Sequence, residues 1–583
     1  AGIIDVPGHE KFIKNMLAGA GGIDIAMLIV AADEGVMPQT REHLSILSLL
    51  DIPQGVVVIT KCDTVEEDWA ELVKEDVAEA VKGTFLEGAP MVCVSAFTGQ
   101  GLDELKNLLA EMAQKAEGKD LSRPFRLPAD RVFTLGGFGT VITGTLIEGT
   151  LHEGDEIMLY PSGIMTRARS MQVHSHDVKE AYGGQRVAVN LAGVKKEDVP
   201  RGEVAAAPGS MTPSMMLDVR LSCLKETGRE IKNNSRLHLY HGAREILCKV
   251  VLMDREVLMP GEECFAQLRL EENITAKRGD RFVVRFYSPL ETVGGGQIVD
   301  PCPLKHRRSD KRALAAMEVK LAGDLRGVVQ SLIGDHSPAW TQISDIARFA
   351  SVSVEETRTQ AEALARDGEA VHIGRDIYLD PNYVKKVRKE MVSVLNDFHK
   401  KNPLKGGMKR EELRTRILPD VRISDVDGLL DHFIEKGSIK EVGGLISIAS
   451  FKVEAGEKLQ KLRRSSGLSQ EQLAEKVFVT RQAVSRWENG ETTPGPETPT
   501  LITASASPPP CTAPAIKGES STMLAKQTNL EAPTDSWSAV SLAESMMVWA
   551  AMSTASILMP ARRLATFMDE QTRLVPASAS GMD

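Results

Sequence analysis

Three short apolar runs set the rhythm of the first part of the chain: AMLIVAA (Ala26–Ala32), GVVVIT (Gly55–Thr60) and PMVCVSA (Pro90–Ala96). Continuous apolar runs of this length suit parallel strands buried on both faces. The spacing between and after them predicts helices over Pro38–Leu50, Glu66–Val81 and Leu102–Lys115. Ile3 and Ile4, running into Asp5, read as a further strand that ends on an acid and a glycine turn. Strand and helix alternate, so an open parallel sheet is expected, with its chemistry at the C-terminal strand ends.

After SRPFRLP (Ser122–Pro128) the pattern changes. From about 129 to 302 short β-rich runs (RVFTL, GTVITGTL, QRVAVNL, RLHLYH, RFVVRFY) are broken by glycine, which predicts two consecutive small β-barrels. The basic stretch Lys305–Arg312 marks a boundary, and a helical region with an internal repeat follows. GEAVHIGRDIYL (Gly368–Leu379) and GSIKEVGGLISI (Gly437–Ile448) each follow a helical run, Val354–Arg366 and Ile423–Lys436. Helices closing on a small hairpin describe a winged-helix module, here in two copies. An αβ packing module with no nucleic-acid role fits the same pattern. Beyond Thr492 the chain is rich in Pro, Ser, Thr and Ala, and SASPPPCTAP (Ser505–Pro514) cannot build a core element.

Composition narrows the classes. The 583 residues carry a net charge of −10, so nucleic-acid contact must come from local patches rather than a global basic field. The seven cysteines show no CxxC spacing, which argues against a zinc knuckle or disulfide scaffold and fits a reducing cytoplasm. Ser545–Pro560 is about four residues short of a membrane span, so no membrane partner is expected. His174 and His176 suggest no third metal ligand, and His238 and His241 read as strand surface residues. Lys385, Lys386, Arg388 and Lys389 form a basic helix face, solvated or near RNA.

The chemistry concentrates in the opening region. A carboxylate at a strand end, Asp5, can hold magnesium through water beside phosphates. Gly8 lets a backbone N–H approach a terminal phosphate. His9 can position an attacking water. In TKCD (Thr60–Asp63), Asp63 can accept hydrogen bonds from guanine N1–H and N2–H₂, which adenine does not offer, with Lys61 laid along the base. In VSAFTGQG, Ser95 and Ala96 can offer backbone N–H groups to guanine O6.

In this order and at these spacings the pieces resemble the translational GTPases, and MPQTREHL (Met37–Leu44) adds to the resemblance. The familiar NKxD reads TKCD, so Thr60 stands where that family has asparagine. The resemblance implies GTP and Mg²⁺ as cofactors and GTP hydrolysis as the activity. No GxxxxGK[ST] occurs; the nearest stretch, GTVITGT (Gly139–Thr145), lacks the lysine. By resemblance the phosphate loop and first switch precede Ala1. A chain without that loop's N–H groups and lysine is expected to bind GTP poorly.

A G domain, two barrels and a winged-helix repeat are similar to the bacterial selenocysteine-specific elongation factors over roughly residues 1–450. LPADRVFTLGGFGTVITGT, AYGGQRVAVNLAG and LETVGGGQIVDP carry that likeness. It implies delivery of selenocysteyl-tRNA to the ribosome and recognition of an mRNA hairpin. That family has four winged-helix modules with the hairpin-binding ones last, and two are read here. A selenol is ionised at neutral pH and a serine hydroxyl is not, so the discriminating pocket needs cations. The matching positions are Asp130, Arg131 and Arg186; an Asp130–Arg131 surface ion pair is the plainer reading.

GLSQEQLAEKVFVTRQAVSRWENG (Gly467–Gly490) resembles the repressor-like helix-turn-helix family. Ser469 caps one helix, and Ala483, Val484 and Trp487 face inward on the next. Gln470, Thr480, Arg481, Gln482, Ser485 and Arg486 are then free for phosphates or base edges. The helices that would close its bundle are not evident in the following sequence. The alternative function is therefore a DNA-binding transcriptional regulator acting through residues 456–490.

The expected organisation is multidomain α/β plus β plus α. An incomplete parallel-sheet GTP-binding domain (1–117) is followed by β-barrels over 118–208 and 209–304. Winged helices over 309–382 and 383–455, an incomplete helix-turn-helix over 456–495 and a disordered tail over 496–583 complete it.

Overall fold

The computed structural model describes residues 2–6, 16–17, 22–137, 139–374, 376–402, 405–451 and 455–489. The expected tail, 496–583, lies outside them.

The three apolar runs form one parallel sheet in the order Ala26–Ala31, Gly55–Thr60, Met91–Cys93. Gly55–Thr60 is central, and Val56, Val57, Val58 and Ile59 are all buried, as a strand covered on both faces requires. Helices Pro38–Leu49, Glu67–Ala80 and Leu102–Lys115 follow the strands. The strand expected at Ile3–Asp5 does not form. Residues 2–6 have no regular structure, Ile3 is 79% exposed, and Gly2 approaches the His174 ring of the next domain. A short apolar run needs a ladder partner to become a strand. The outer edge of Ala26–Ala31 does not take this one, and Ile29 stays 52% exposed.

The first β-domain is an eight-stranded sheet folded around Leu127, Ile142, Leu146, Leu159, Val187 and Val189. Its strand Gly139–Thr145 runs antiparallel between Arg131–Leu135 and Arg186–Leu191. The second is a closed six-stranded barrel built from Pro213–Cys223 to Thr292–Asp300 around Leu217, Leu239, Leu268 and Phe282.

A buried ionic network joins the two. Arg126 donates to both carboxylate oxygens of Asp280, at 2.7 and 2.9 Å. Arg126 Nε lies 3.1 Å from Glu148, charge-paired but not aligned for a hydrogen bond. Lys277 donates to Glu148 at 2.5 Å, and the His241 ring lies 2.9 Å from Asp280. Burial pushes the Asp280 carboxyl up, but Arg126 and His241 outweigh it and hold it well below the usual carboxylate range.

Helix Pro38–Leu49 packs on the second barrel. Glu42 accepts from Arg285 at 3.3 Å and from Thr292 at 2.9 Å, and Ile46 is buried with Tyr240 and Val283. Asp51 pairs with Arg281 and Asp24 with Lys119. The GGG of LETVGGGQIVDP explains itself here. A Cβ on Gly294 would meet the Ser222 carbonyl oxygen at 2.2 Å, and one on Gly295 would meet Phe282 O at 2.4 Å and Leu49 at 3.1 Å.

Both expected hairpins are present, Val371–Ile373 with Ile377–Leu379 and Ile439–Val442 with Leu445–Ile448. Helix Pro381–Lys401 begins on a capping Asp380 and buries Val384, Val387, Met391 and Leu395. Those side chains share one core with Ile373 and Leu379 of the first module and Leu429 and Phe433 of the second. The two modules are thus packed as one piece.

Helices Gln470–Lys476 and Arg481–Glu488 form the helix-turn-helix, with Ser469 and Gln472 in a capping box. Helix Ala455–Ser465, just before the motif, supplies Leu459 to the core of Leu473, Val477, Val484 and Trp487. The sequence after the motif, where further helices are not evident, lies outside the described residues.

Candidate functional site

Because the three strands are parallel, their C-terminal ends share one edge, and two loops there carry the candidate groups. Gly55–Thr60 runs into Lys61, whose φ of 59° turns the chain sharply into the 3₁₀ turn Cys62–Thr64. Thr64 Oγ1 donates to the Lys61 carbonyl at 2.8 Å and closes that turn. Cys62 N–H donates to Val94 O at 3.3 Å, tying the turn to the neighbouring strand. Asp63 is thereby presented, exposed, at the sheet edge. Thr60, in the place of asparagine, turns its hydroxyl back to Val30 O at 3.5 Å.

The second loop, Ser95–Gly101, is organised around one hydroxyl. Buried Ser95 Oγ accepts from Phe97 N–H at 3.2 Å and Thr98 N–H at 3.0 Å, while Gly99 N–H donates to Ser95 O at 3.0 Å. Ser95 N–H donates to Gln100 O at 3.0 Å. It is therefore spent inside the loop, which corrects its expected role as a donor to guanine O6. Ala96, the next residue, is exposed. Phe97 beside it is 92% exposed. Gly101 closes the loop at φ 72°, and a Cβ there would stand 2.0 Å from Cys93 O.

The ammonium of Lys61, whose stem is expected along the base, is engaged by two acids. It is 2.8 Å from Asp33 and 3.5 Å from Glu34, and the Asp33 hydrogen bond raises its pKa. These acids follow the first strand in AADEG and escaped the sequence reading; the signal was an acid pair at a strand end facing a lysine. Trp69 Nε1 donates to Ala32 O at 3.0 Å on the same edge.

Gly8 and His9 lie outside the described residues. Asp5 is exposed in the irregular segment 2–6, not at a strand end. Among the described residues no group of three or more His, Cys, Asp or Glu side chains is arranged to hold a metal. The residues present fit a guanine ring. The Lys61 ammonium is engaged by carboxylates rather than left for a phosphate.

In the first β-domain, Asp130 is gripped by Arg186 at 2.6 and 3.1 Å and by Thr143 Oγ1 at 2.9 Å. Asp130 thus pairs with Arg186 rather than with its neighbour Arg131. Arg131 is opposite Thr143, and Arg186 is opposite Thr145, two residues along the same strand. Both arginines therefore stand on one face. Gly22 of the first domain reaches that strand at Thr145.

The DNA-contact candidates are largely occupied. Gln470 donates to Glu488 at 2.8 Å, Thr480 caps its helix through Ala483 N–H, and Arg481 pairs with Glu471 at 3.3 Å. Arg486 also has a partner. Glu488 itself is held by Arg463, at 2.6 and 3.0 Å. Gln482 is exposed and Ser485 half-buried.

Comparison with known proteins decides the family. A selenocysteine-specific elongation factor of Desulfomicrobium baculatum is 39% identical over 460 residues, covering 77% of this chain and 72% of that protein. This chain belongs to that family. The Escherichia coli factor is 30% identical, with 79% and 72% covered. Domain families match in order along this chain. They are elongation factor Tu GTP binding domain (1–115), elongation factor Tu domain 2 (139–206), selenocysteine-specific elongation factor beta-barrel domain (218–305) and elongation factor SelB winged helix (392–448). A helix-turn-helix family matches 459–498. The crystal structure of a bacterial selenocysteine-specific elongation factor superposes with a TM-score of 0.64 at 27% identity, covering 86% of this chain and 77% of that one. The architecture is that of a translational GTPase with winged-helix and helix-turn-helix additions, and none of its described helices is long and apolar enough to cross a membrane.

Proposed function

We propose that this chain acts in selenocysteine incorporation, delivering selenocysteyl-tRNA to the ribosome, with a guanine nucleotide read at the sheet edge. The observation that carries the guanine half is the alignment of the Lys61–Thr64 turn and the Ser95–Gly101 loop on that edge. There Asp63 accepts from guanine N1–H and N2–H₂, and Ala96 N–H faces O6. Adenine leaves the carboxylate unpaired. His9 as the residue that positions water and Asp5 as a magnesium neighbour rest on family resemblance alone.

For the aminoacyl end we assign Asp130, Arg131 and Arg186. Asp130 neutralises and orients Arg186, which leaves Arg131 as the cation that rewards a selenolate over a hydroxyl. The winged-helix pair is read as an RNA-binding extension, with an mRNA hairpin as its partner. The test is filter binding of selenocysteyl-tRNA against seryl-tRNA. Wild type prefers the former, and Arg131→Ala with Arg186→Ala removes that preference. Unchanged discrimination in the double variant overturns the pocket.

The closed three-helix core around Trp487 favours a second reading, duplex DNA binding through residues 456–490. A gel shift with duplex DNA, abolished by Gln482→Ala with Arg481→Ala, would support it. Binding of selenocysteyl-tRNA alone would not.

A further inference from the structure

Two thiols meet beneath the proposed base-reading loops. Cys62 follows the central strand, and Cys93 ends the strand beside it, in lateral register with Ile59. Cys62 Sγ donates to Ile59 O at 3.1 Å, and Val94 N–H donates to the same oxygen at 2.8 Å. The sulfur therefore sits against residues 93–94 of the neighbouring strand. Both cysteines pack on one face of the sheet, against the cluster containing Val73 and Val77. Both are free and partly accessible. By contrast, Cys223, Cys248 and Cys264 are buried in the second barrel.

We propose that Cys62 and Cys93 form a reversible dithiol–disulfide site, oxidised by a peroxide, that clamps the Lys61–Thr64 turn to the strand leading into Ser95. The chemistry balances. One thiolate attacks a peroxide oxygen and becomes a sulfenic acid, and one water leaves. The second thiol attacks that sulfur, the S–S bond forms, and the sulfenic oxygen departs as the second water. Two electrons pass from the thiols to hydrogen peroxide, which is reduced to two waters. Burial, and then the hydrogen bond with Cys93, push the Cys62 thiol up to about 11. Lys74, held by Glu71 at 2.6 Å on the overlying helix, opposes this in small part by favouring the Cys62 thiolate. The bond stands on the two strands alone and does not depend on the guanine assignment. What it restrains is the turn that presents Asp63.

The experiment uses the purified full chain, fully reduced and then exposed to hydrogen peroxide under native conditions. The titratable thiols fall from the seven of the sequence by two and return with dithiothreitol. Peptide mapping yields a Cys62–Cys93 cross-link, absent in Cys62→Ser and in Cys93→Ser. Amide exchange over 61–64 slows in the oxidised wild type and not in either variant. Peroxide treatment that gives only sulfinic or sulfonic acids, intermolecular links, or pairs not containing both residues overturns the proposal. So does a Cys62–Cys93 link that forms only in denaturant.

Discussion

Replacing Arg126 by methionine tests the joint between the two β-domains. The side chain is nine-tenths buried and offers a bidentate hydrogen bond to Asp280, itself almost as deeply buried. At these distances an effective dielectric constant of about 20 gives an attraction of roughly 6 kcal/mol, largely offset by the desolvation of both ions. Arg126 and Lys277 face Asp280 and Glu148, and the His241 ring lies against Asp280 as well. Removing Arg126 alone strips a buried carboxylate of its bidentate partner, which costs about 3–5 kcal/mol. Removing Asp280 as well takes away the carboxylate that lost that partner and leaves Lys277 paired with Glu148, so Arg126→Met with Asp280→Leu is expected to lie closer to wild type than Arg126→Met does. A single melting temperature is ill-defined for so many domains, so hydrogen exchange over Arg126–Pro128 and Arg281–Phe286 is the better readout. Protection in Arg126→Met should fall by about 100- to 3,000-fold, one factor of ten for each 1.4 kcal/mol. Loss of less than tenfold, or a double variant as damaged as the sum of the singles, refutes the reasoning.

Gly101→Ala should disorder the Ser95–Gly101 loop, because the Cβ meets Cys93 O at 2.0 Å and the left-handed backbone adds about 1–2 kcal/mol; faster amide exchange at Phe97 and Thr98 is the check. His306 lies 2.8 Å from Asp218; burial lowers its pKa, but the carboxylate prevails and raises it above 6.5. A raised pKa means that the imidazolium's contribution is full below pH 6.5 and is lost as pH rises through the folded value. The stability gap between wild type and His306→Gln, read by exchange over residues 213–223, should therefore close on the alkaline side.

Much of this architecture was written locally. Gly55–Thr60 is apolar at five of six positions and could only be an interior strand; both hairpins were marked by glycines between β-branched pairs. Asp63 was readable because turn and strand are contiguous. The Ile3–Asp5 strand does not form because a short apolar run says nothing about whether a ladder partner is available. Ser95 was misassigned because its N–H is consumed by Gln100, a bond fixed by loop closure rather than by residue type. What helix Ala455–Ser465 brings to the bundle, Leu459 in the core and Arg463 on Glu488, is set by packing between helices and has no local pattern. The Arg126–Asp280 pair, 154 residues apart, has no sequence signature.

Of the three glycines in a row on the last strand of the second barrel, the middle one, Gly295, turns bare main chain toward Leu49 at the end of helix Pro38–Leu49. Two turns earlier the same helix is bolted to the barrel through Glu42, which holds Arg285 and Thr292. The helix is thus pinned near its start and rests flat at its end. A shift at the Met37 end therefore pulls first on the Glu42 bolt, and the barrel feels it through Arg285 and Thr292.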